Sequence, residues 1–168
     1  MVWGEDTYSG ETVLGIPHGR GKTTSPGGNT YSGDFRGGRK QGMGTFHWED
    51  GQSPHRGDVY QGEYAGNLFH GQGVYTHSSG SRFEGFFQQD CKQGLFRYTY
   101  PDGRVILGQA NDDLEDGQYI LISEDSKTIK IGHKSRGVRI GDIKIYKLWE
   151  IQHWNDALER YATTLVIS

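Results

Sequence analysis

Residues 31–35 read aromatic, polar, glycine, acid, aromatic, and the same five-residue pattern returns at 60–64. Successive side chains of an extended strand point to opposite faces. Tyr31 and Phe35, like Tyr60 and Tyr64, therefore share one face, and the acid between them takes the other. Gly38 or its counterpart lets the chain reverse. A second alternating run follows in Gly42-Met43-Gly44-Thr45-Phe46-His47-Trp48 and again in Gly71-Gln72-Gly73-Val74-Tyr75-Thr76-His77, with β-branched and aromatic residues at alternate places. Each cassette predicts a β-hairpin, closed by a turn such as Asp50-Gly51, Ser79-Gly80 or Asp102-Gly103.

Six cassettes open at Tyr8, Tyr31, Tyr60, Phe83, Ile106 and Lys130, so successive starts are 23, 29, 23, 23 and 24 residues apart. A fixed period of this length marks a repeat array rather than an enzyme core. Gly28, Gly57, Gly80 and Gly103 each stand three residues before an opening position, which confines the long interval to an insertion over 51–56. Its Gly, Ser and Pro content is that of a surface loop. The phase predicts hairpins at about 8–28, 31–56, 60–80, 83–103, 106–126 and 130–146. The fold class expected is an all-β repeat: an elongated, twisted antiparallel sheet of consecutive hairpins. The 27 glycines serve tight turns and places where a neighbouring ring lies on bare backbone. Stacking six hairpins buries the rings along a seam that one hairpin could not protect.

The pattern changes at Lys144, from which the glycines stop. Residues 1–7 read as a lead-in, 8–143 as the array and 144–168 as a separate tail. Ile151, Trp154, Leu158 and Tyr161 fall at helical spacing with Trp149 beside them, which predicts a short amphipathic C-terminal helix. The plain reading is a cap on the last hairpin. The sharper one is a docking helix for a partner or for a second copy of the chain.

Composition fits a thin sheet: of 168 residues 33% are hydrophobic, and the mean hydropathy is -0.75. A net charge of -3 gives no general attraction for nucleic acid or anionic lipid. Basic residues cluster early, at Arg20, Lys22, Arg36, Arg39 and Lys40, and acids late, at Asp112, Asp113, Glu115 and Asp116. The lone Cys91 suits a reducing compartment. No apolar run is long enough to span a membrane as a helix, and residues 1–6 lack the blocks of a secretory signal. The expectation is an intracellular protein, with organelle import left open.

The pattern Tyr-x-Gly-x-aromatic-x-x-Gly-x-x-His-Gly-x-Gly resembles the MORN (membrane occupation and recognition nexus) repeat. The likeness is strong in the first three copies, where His18-Gly19-Arg20-Gly21 and His70-Gly71-Gln72-Gly73 stand in full and Gln41 replaces the His in the second. It weakens later: Phe96 replaces the last Gly of copy four, Asp113 the turn Gly of copy five, and Lys130 the opening ring of copy six. The resemblance implies work as a scaffold in cilia, radial spokes, cytoskeletal collars or membrane junctions.

No nucleophile elbow, paired-cysteine site, His-Glu-x-x-His helix or phosphate loop is legible. Catalysis and cofactors are not expected. Gly19-Arg20-Gly21-Lys22-Thr23 only ends like a phosphate loop. His18 and His70 occupy one repeat position, where a ring hydrogen bond across the turn is the expected role. The run 111–116 lacks the ligand spacing of a calcium loop and falls on a hairpin tip. The leading functional expectation is a non-catalytic scaffold that binds partner proteins, in a large assembly, through an aromatic face. Its candidate residues are Tyr31, Phe35, Tyr60, Tyr64, Phe83 and Phe87, with Trp149, Trp154 and Tyr161 of the tail. The alternatives are a peripheral membrane adaptor whose five early basic residues meet lipid phosphates, and an accessory subunit of an enzyme complex.

Overall fold

The computed structural model describes residues 1–147; the expected C-terminal helix lies outside them. After a short β1 (Val2–Trp3), the chain forms successive antiparallel hairpins: β2 (Asp6–Val13) with β3 (Ile16–Thr24), β4 (Thr30–Arg36) with β5 (Arg39–His47), and β6 (Val59–Ala65) with β7 (Leu68–Thr76). They continue as β8 (Arg82–Gln88) and β9 (Cys91–Thr99), then β10 (Val105–Asn111) with β11 (Leu114–Glu115) and β12 (Gly117–Ile122), and finally β13 (Thr128–Ser135) with β14 (Val138–Lys147). Neighbours in sequence are neighbours in one open sheet, with β11 alone off the path. The all-β expectation and the hairpin phase therefore hold. The chain divides into two compact units, Met1–Cys91 and the residues from Lys92 onward.

One turn geometry is used six times. The central pairs Leu14-Gly15, Gly37-Gly38, Gly66-Asn67, Gln89-Asp90, Asp112-Asp113 and Arg136-Gly137 all have positive φ, between 47° and 82°. Paired positive φ is the signature of the type I′ turn, whose twist matches that of the flanking strands. Where glycine is missing, a side chain does further work. Asn67 Oδ1 accepts the Lys40 amide at 2.8 Å and Asp90 Oδ1 the Phe69 amide at 2.7 Å, each in the preceding hairpin. In the second unit Asp113 Oδ1 accepts the Lys92 amide at 2.9 Å. Asp113 is thus no defect in the repeat, and the acidic run is a hairpin tip whose carboxylates bind backbone and Gln93.

In the first unit three rows cross the strands. The first aligns Tyr8, Thr23, Tyr31, Phe46, Tyr60, Tyr75 and Phe83, and the second aligns Gly10, Gly21, Gly33, Gly44, Gly62, Gly73 and Gly85. The third sets Phe35 beside Gly19, Tyr64 beside Gly42 and Phe87 beside Gly71. Rings of the first row lie down over the glycines of the second. A Cβ built on Gly62 would stand 2.6 Å from both the Tyr60 hydroxyl and the Gly73 Cα, distances that no side chain could occupy. The tyrosine hydroxyls finish the motif: Tyr8, Tyr31 and Tyr60 donate to the carbonyls of Glu11, Asp34 and Glu63 at 2.6, 3.0 and 3.1 Å. Those three acids, on the opposite face, accept the amides of Arg20, Met43 and Gln72 beside a bulge in the partner strand. The spacing Tyr-x-Gly-acid is therefore a local hydrogen-bond unit.

Candidate partner-binding site

The rings expected to meet a partner are interior. Tyr31, Phe35, Tyr60, Tyr64, Phe83 and Phe87 are 0 to 5% exposed. With Tyr8 they form an edge-to-face zigzag, Tyr8–Phe35–Tyr31–Tyr64–Tyr60–Phe87–Phe83, at centroid separations of 4.9 to 5.4 Å. Their faces are consumed by one another and by bare backbone. These six side chains build the seam that a partner would rest on, and they offer it little surface of their own. Burial pushes the hydroxyls of Tyr31, Tyr60 and Tyr64 above the ordinary phenol value, so all three stay neutral. Trp149, Trp154 and Tyr161 lie outside the described residues.

A different set of aromatics is half-buried on the ring-bearing face: Phe46, Trp48, Phe69 and Tyr75. Trp48 is the hub, 4.6 Å from Phe46, 5.3 Å from Tyr75 and 6.1 Å from both Phe69 and His55, while Phe69 stacks on Tyr60 at 3.7 Å. Tyr75 also meets His77 at 4.7 Å. Lys40 belongs to this face too. Its ammonium lies 4.4 Å above the Phe46 ring and 5.0 Å above that of Tyr31, within reach of a cation–π attraction. Burial draws its pKa below the usual lysine range, against the pull of Asp6 and Asp90.

Beneath the patch the inserted loop is pinned by Asp58, which is 4% exposed. One carboxylate oxygen accepts the Tyr75 hydroxyl at 2.7 Å and the other the Ser78 amide at 2.8 Å. His55 Nδ1 and His77 Nδ1 stand 3.4 and 3.5 Å from the first oxygen. Burial alone would raise the Asp58 pKa, but the Tyr75 and Ser78 hydrogen bonds and the two imidazoles outweigh it and hold the carboxyl below its ordinary value. Tyr75 is pushed the other way, by burial and by that carboxylate, so it stays protonated and serves as the donor. Backbone bonds from the Trp48 amide to the Asp58 carbonyl (3.1 Å) and from the Gly57 amide to the Trp48 carbonyl (2.7 Å) close the loop's base. The insertion is thus built into the site and orients Trp48 and Tyr75.

Sequence reading missed this cluster, although one signal was present. The residue after each ruler glycine is polar: Asn29, Asp58, Ser81 and Arg104. Asn29 does in its hairpin what Asp58 does in the next, taking the Glu49 and Asp50 amides at 2.8 and 2.9 Å. The expected ring bond of His18 and His70 is not what holds this position: both residues are exposed, and the cross-hairpin bond belongs to Gln41, which accepts the Gly66 amide at 3.2 Å.

The five basic candidates do not form one patch. Lys22 pairs with Ser32, Arg20 with Asp34 and Arg36 with Arg39 across the strands, which puts all four of these basic residues on the face opposite the rings. Arg20 also makes an ion pair with Asp34 at 3.5 Å. Lys40 pairs with Phe35 and so lies on the ring side. Among the described residues no helix is long and apolar enough to cross a membrane.

Residues 8–30, 31–53 and 60–82 each match the family model of the MORN repeat. Alsin of Rattus norvegicus and alsin of Homo sapiens are each 40% identical to the chain over 88 residues, which is 52% of this chain and 5% of theirs. The ALS2 C-terminal-like protein of Bos taurus is 31% identical over 89 residues, 53% of this chain and 9% of that protein. The chain therefore spans a small fraction of the length of these relatives. MORN repeats are generally associated with protein and membrane interaction and are typically non-catalytic. Three consecutive matches, laid on hairpins that repeat one hydrogen-bond unit, make this a MORN-repeat protein.

Proposed function

We propose that this chain is a non-catalytic scaffold module that seats a partner protein on its ring-bearing face, as one component of a larger intracellular assembly of cytoskeletal or ciliary type. The observation that carries the reading is the half-exposed quartet Phe46, Trp48, Phe69 and Tyr75, held from below by the buried Asp58. Rings fixed before binding lose little entropy when a partner covers them, and aromatic anchors at the centre of a patch carry most of an interface's energy. Lys40 at the edge adds a cation for a carboxylate of the partner. The test is co-purification from the native source with the wild type and with Trp48→Ala, each shown to be folded by its melting curve. Retention of the same assembly by a folded Trp48→Ala chain would sink the proposal.

The second reading, a peripheral membrane adaptor, draws on Arg20, Lys22, Arg36 and Arg39 sharing the opposite face. Each basic residue near an anionic bilayer is worth about 1 kcal/mol, and salt screens the attraction. Little binding to phosphoinositide vesicles at physiological salt is expected. Salt-sensitive binding abolished by neutralising those four residues together would replace the first reading with this one.

A further inference from the structure

The sequence holds two Ser-Pro dipeptides, Ser25-Pro26 and Ser53-Pro54, and the fold treats them oppositely. Ser25-Pro26 turns the chain from β3 into β4. There the Ser25 amide donates to the Asn29 carbonyl and the Gly28 amide to the Ser25 carbonyl, both at 2.9 Å, and Thr24 and Thr30 on either side are already paired. The Ser25 hydroxyl is buried. Straightening this segment would open the β3–β4 ladder.

Ser53-Pro54 lies in the inserted loop, outside every strand. Gly51, Gln52, Pro54, His55 and Arg56 are exposed and Ser53 is half-buried. Short-range bonds hold the loop. The Gln52 amide donates to Asp50 Oδ1 at 2.9 Å, the Ser53 amide to the Asp50 carbonyl at 3.0 Å, the His55 amide to Ser53 Oγ at 3.1 Å and the Arg56 amide to the Ser53 carbonyl at 3.2 Å. Bonds at an exposed loop are exchanged for bonds to water at small net cost. Residues 51–56 can therefore be drawn out while the Trp48–Gly57 and Trp48–Asp58 backbone bonds keep the base closed.

Drawn out, Ser53-Pro54-His55-Arg56 presents a hydroxyl, a ring without an amide proton directly after it, and a guanidinium three places on. Proline favours an extended residue before it and leaves no backbone donor unpaired in an enzyme's cleft, and an acidic group of the enzyme can hold the guanidinium. The residue three places after Ser25 is Gly28. We propose that Ser53 is the phosphoacceptor of a proline-directed serine/threonine kinase that reads Arg56, and that the phosphate weakens partner binding at the aromatic patch. Ser53 Oγ attacks the γ-phosphorus of ATP, the new O–P bond forms as the bond to the ADP oxygen breaks, and the hydroxyl proton passes to the kinase's catalytic carboxylate. The regulatory half rests on the reading of Phe46, Trp48, Phe69 and Tyr75 as the seat of a partner; the modification itself does not.

A phosphoserine carries about two negative charges at neutral pH. Asp50 and Asp58 repel it, and His55 and Arg56 attract it. In the unmodified loop His55 Nδ1 stands 3.4 Å from Asp58 Oδ2, and its ring 6.1 Å from that of Trp48. The phosphate draws this imidazole off both. It also sets negative charge at the rim of a patch whose own cation, Lys40, suits a partner's carboxylate.

The full chain is incubated with a cyclin-dependent kinase and magnesium ATP, and the phosphate is mapped by tandem mass spectrometry. Phosphate at Ser53 and none at Ser25 is expected, with Pro54→Ala stopping incorporation and Arg56→Gln slowing it about tenfold, the worth of one lost charged contact. An unmodified Ser53, equal incorporation at Ser25, or a rate indifferent to Arg56 overturns the site. The phosphorylated chain, the unphosphorylated chain and Trp48→Ala are then used to recover the assembly from the native source. Recovery should fall about fivefold or more on phosphorylation and return after phosphatase treatment. Unchanged recovery, where Trp48→Ala does lose the assembly, overturns the regulatory effect alone. Recovery that Trp48→Ala also leaves unchanged overturns that effect together with the patch reading, and the mapped site stands.

Discussion

At the scale of single residues, two side chains carry opposite lessons about burial. Tyr60 is fully buried, and its ring fills the space that Gly62 and Gly73 leave empty. Tyr60→Ala is expected to cost about 2 to 4 kcal/mol by chemical denaturation, as for a large ring removed from a packed site. Tyr60→Phe keeps the ring and loses only the bond to the Glu63 carbonyl, so about 1 kcal/mol is expected. Equal losses in the two variants would show that the ring contributes little. Asp58 is the polar counterpart. Its folded pKa lies below the ordinary value of 3.8, so its stabilising contribution is complete above that pH and is lost as pH falls through the depressed value. Thermal melts between pH 7 and pH 2 should show that acid loss in the wild type and a smaller one in Asp58→Asn, whose stability is already lower at neutral pH.

At the scale of the hairpin, the decisive device is the turn with paired positive φ. Asp90 adopts φ 69° and also ties its side chain to Phe69. Asp90→Gly keeps the turn and drops the clamp, for an expected loss of about 1 kcal/mol. Asp90→Val loses the clamp and also strains the backbone, adding about 1 to 2 kcal/mol. A Gly variant as unstable as the Val variant would mean that the clamp outweighs the turn. Gly62→Val belongs to the same scale but acts by collision, since its new Cβ would run into Tyr60 and the Gly73 backbone. The hairpin's strands would have to separate, and a folded, fully stable Gly62→Val chain would contradict the close approach of the two strands.

For the molecule as a whole, the two faces of the sheet have separate assignments. In the first unit the ring side carries the aromatic quartet and Lys40, and the opposite side carries Arg20, Lys22, Arg36 and Arg39. Neutralising all five early basic residues together would therefore mix two sites. Lys40→Gln alone is expected to weaken partner recovery and leave vesicle binding unchanged. Neutralising the other four should leave partner recovery unchanged, as a co-purification and a vesicle sedimentation assay would show. Loss of partner recovery in the four-residue variant would move the protein site to the opposite face.

The repeat, its phase, the inserted loop and the all-β class were legible because they rest on local periodicities. Strand alternation and turn chemistry act within a few residues, so Tyr31-Ser32-Gly33-Asp34-Phe35 announces its own hairpin. The exposure of each ring was not legible. Tyr60 and Phe69 look alike as alternating aromatics, and only the lateral register sets Tyr60 over two glycines while it leaves Phe69 stacked outside it. Alternation alone turns Lys40 and Arg39 to opposite faces, but only the pairing of the strands decides that Lys40 sits over the rings of Phe46 and Tyr31. Asp58 gathers Tyr75, Ser78 and two histidines from the neighbouring loop and strand. Such a cluster exists only once the strands are paired, because a buried carboxylate is tolerable only where its hydrogen-bond partners have already been brought to it.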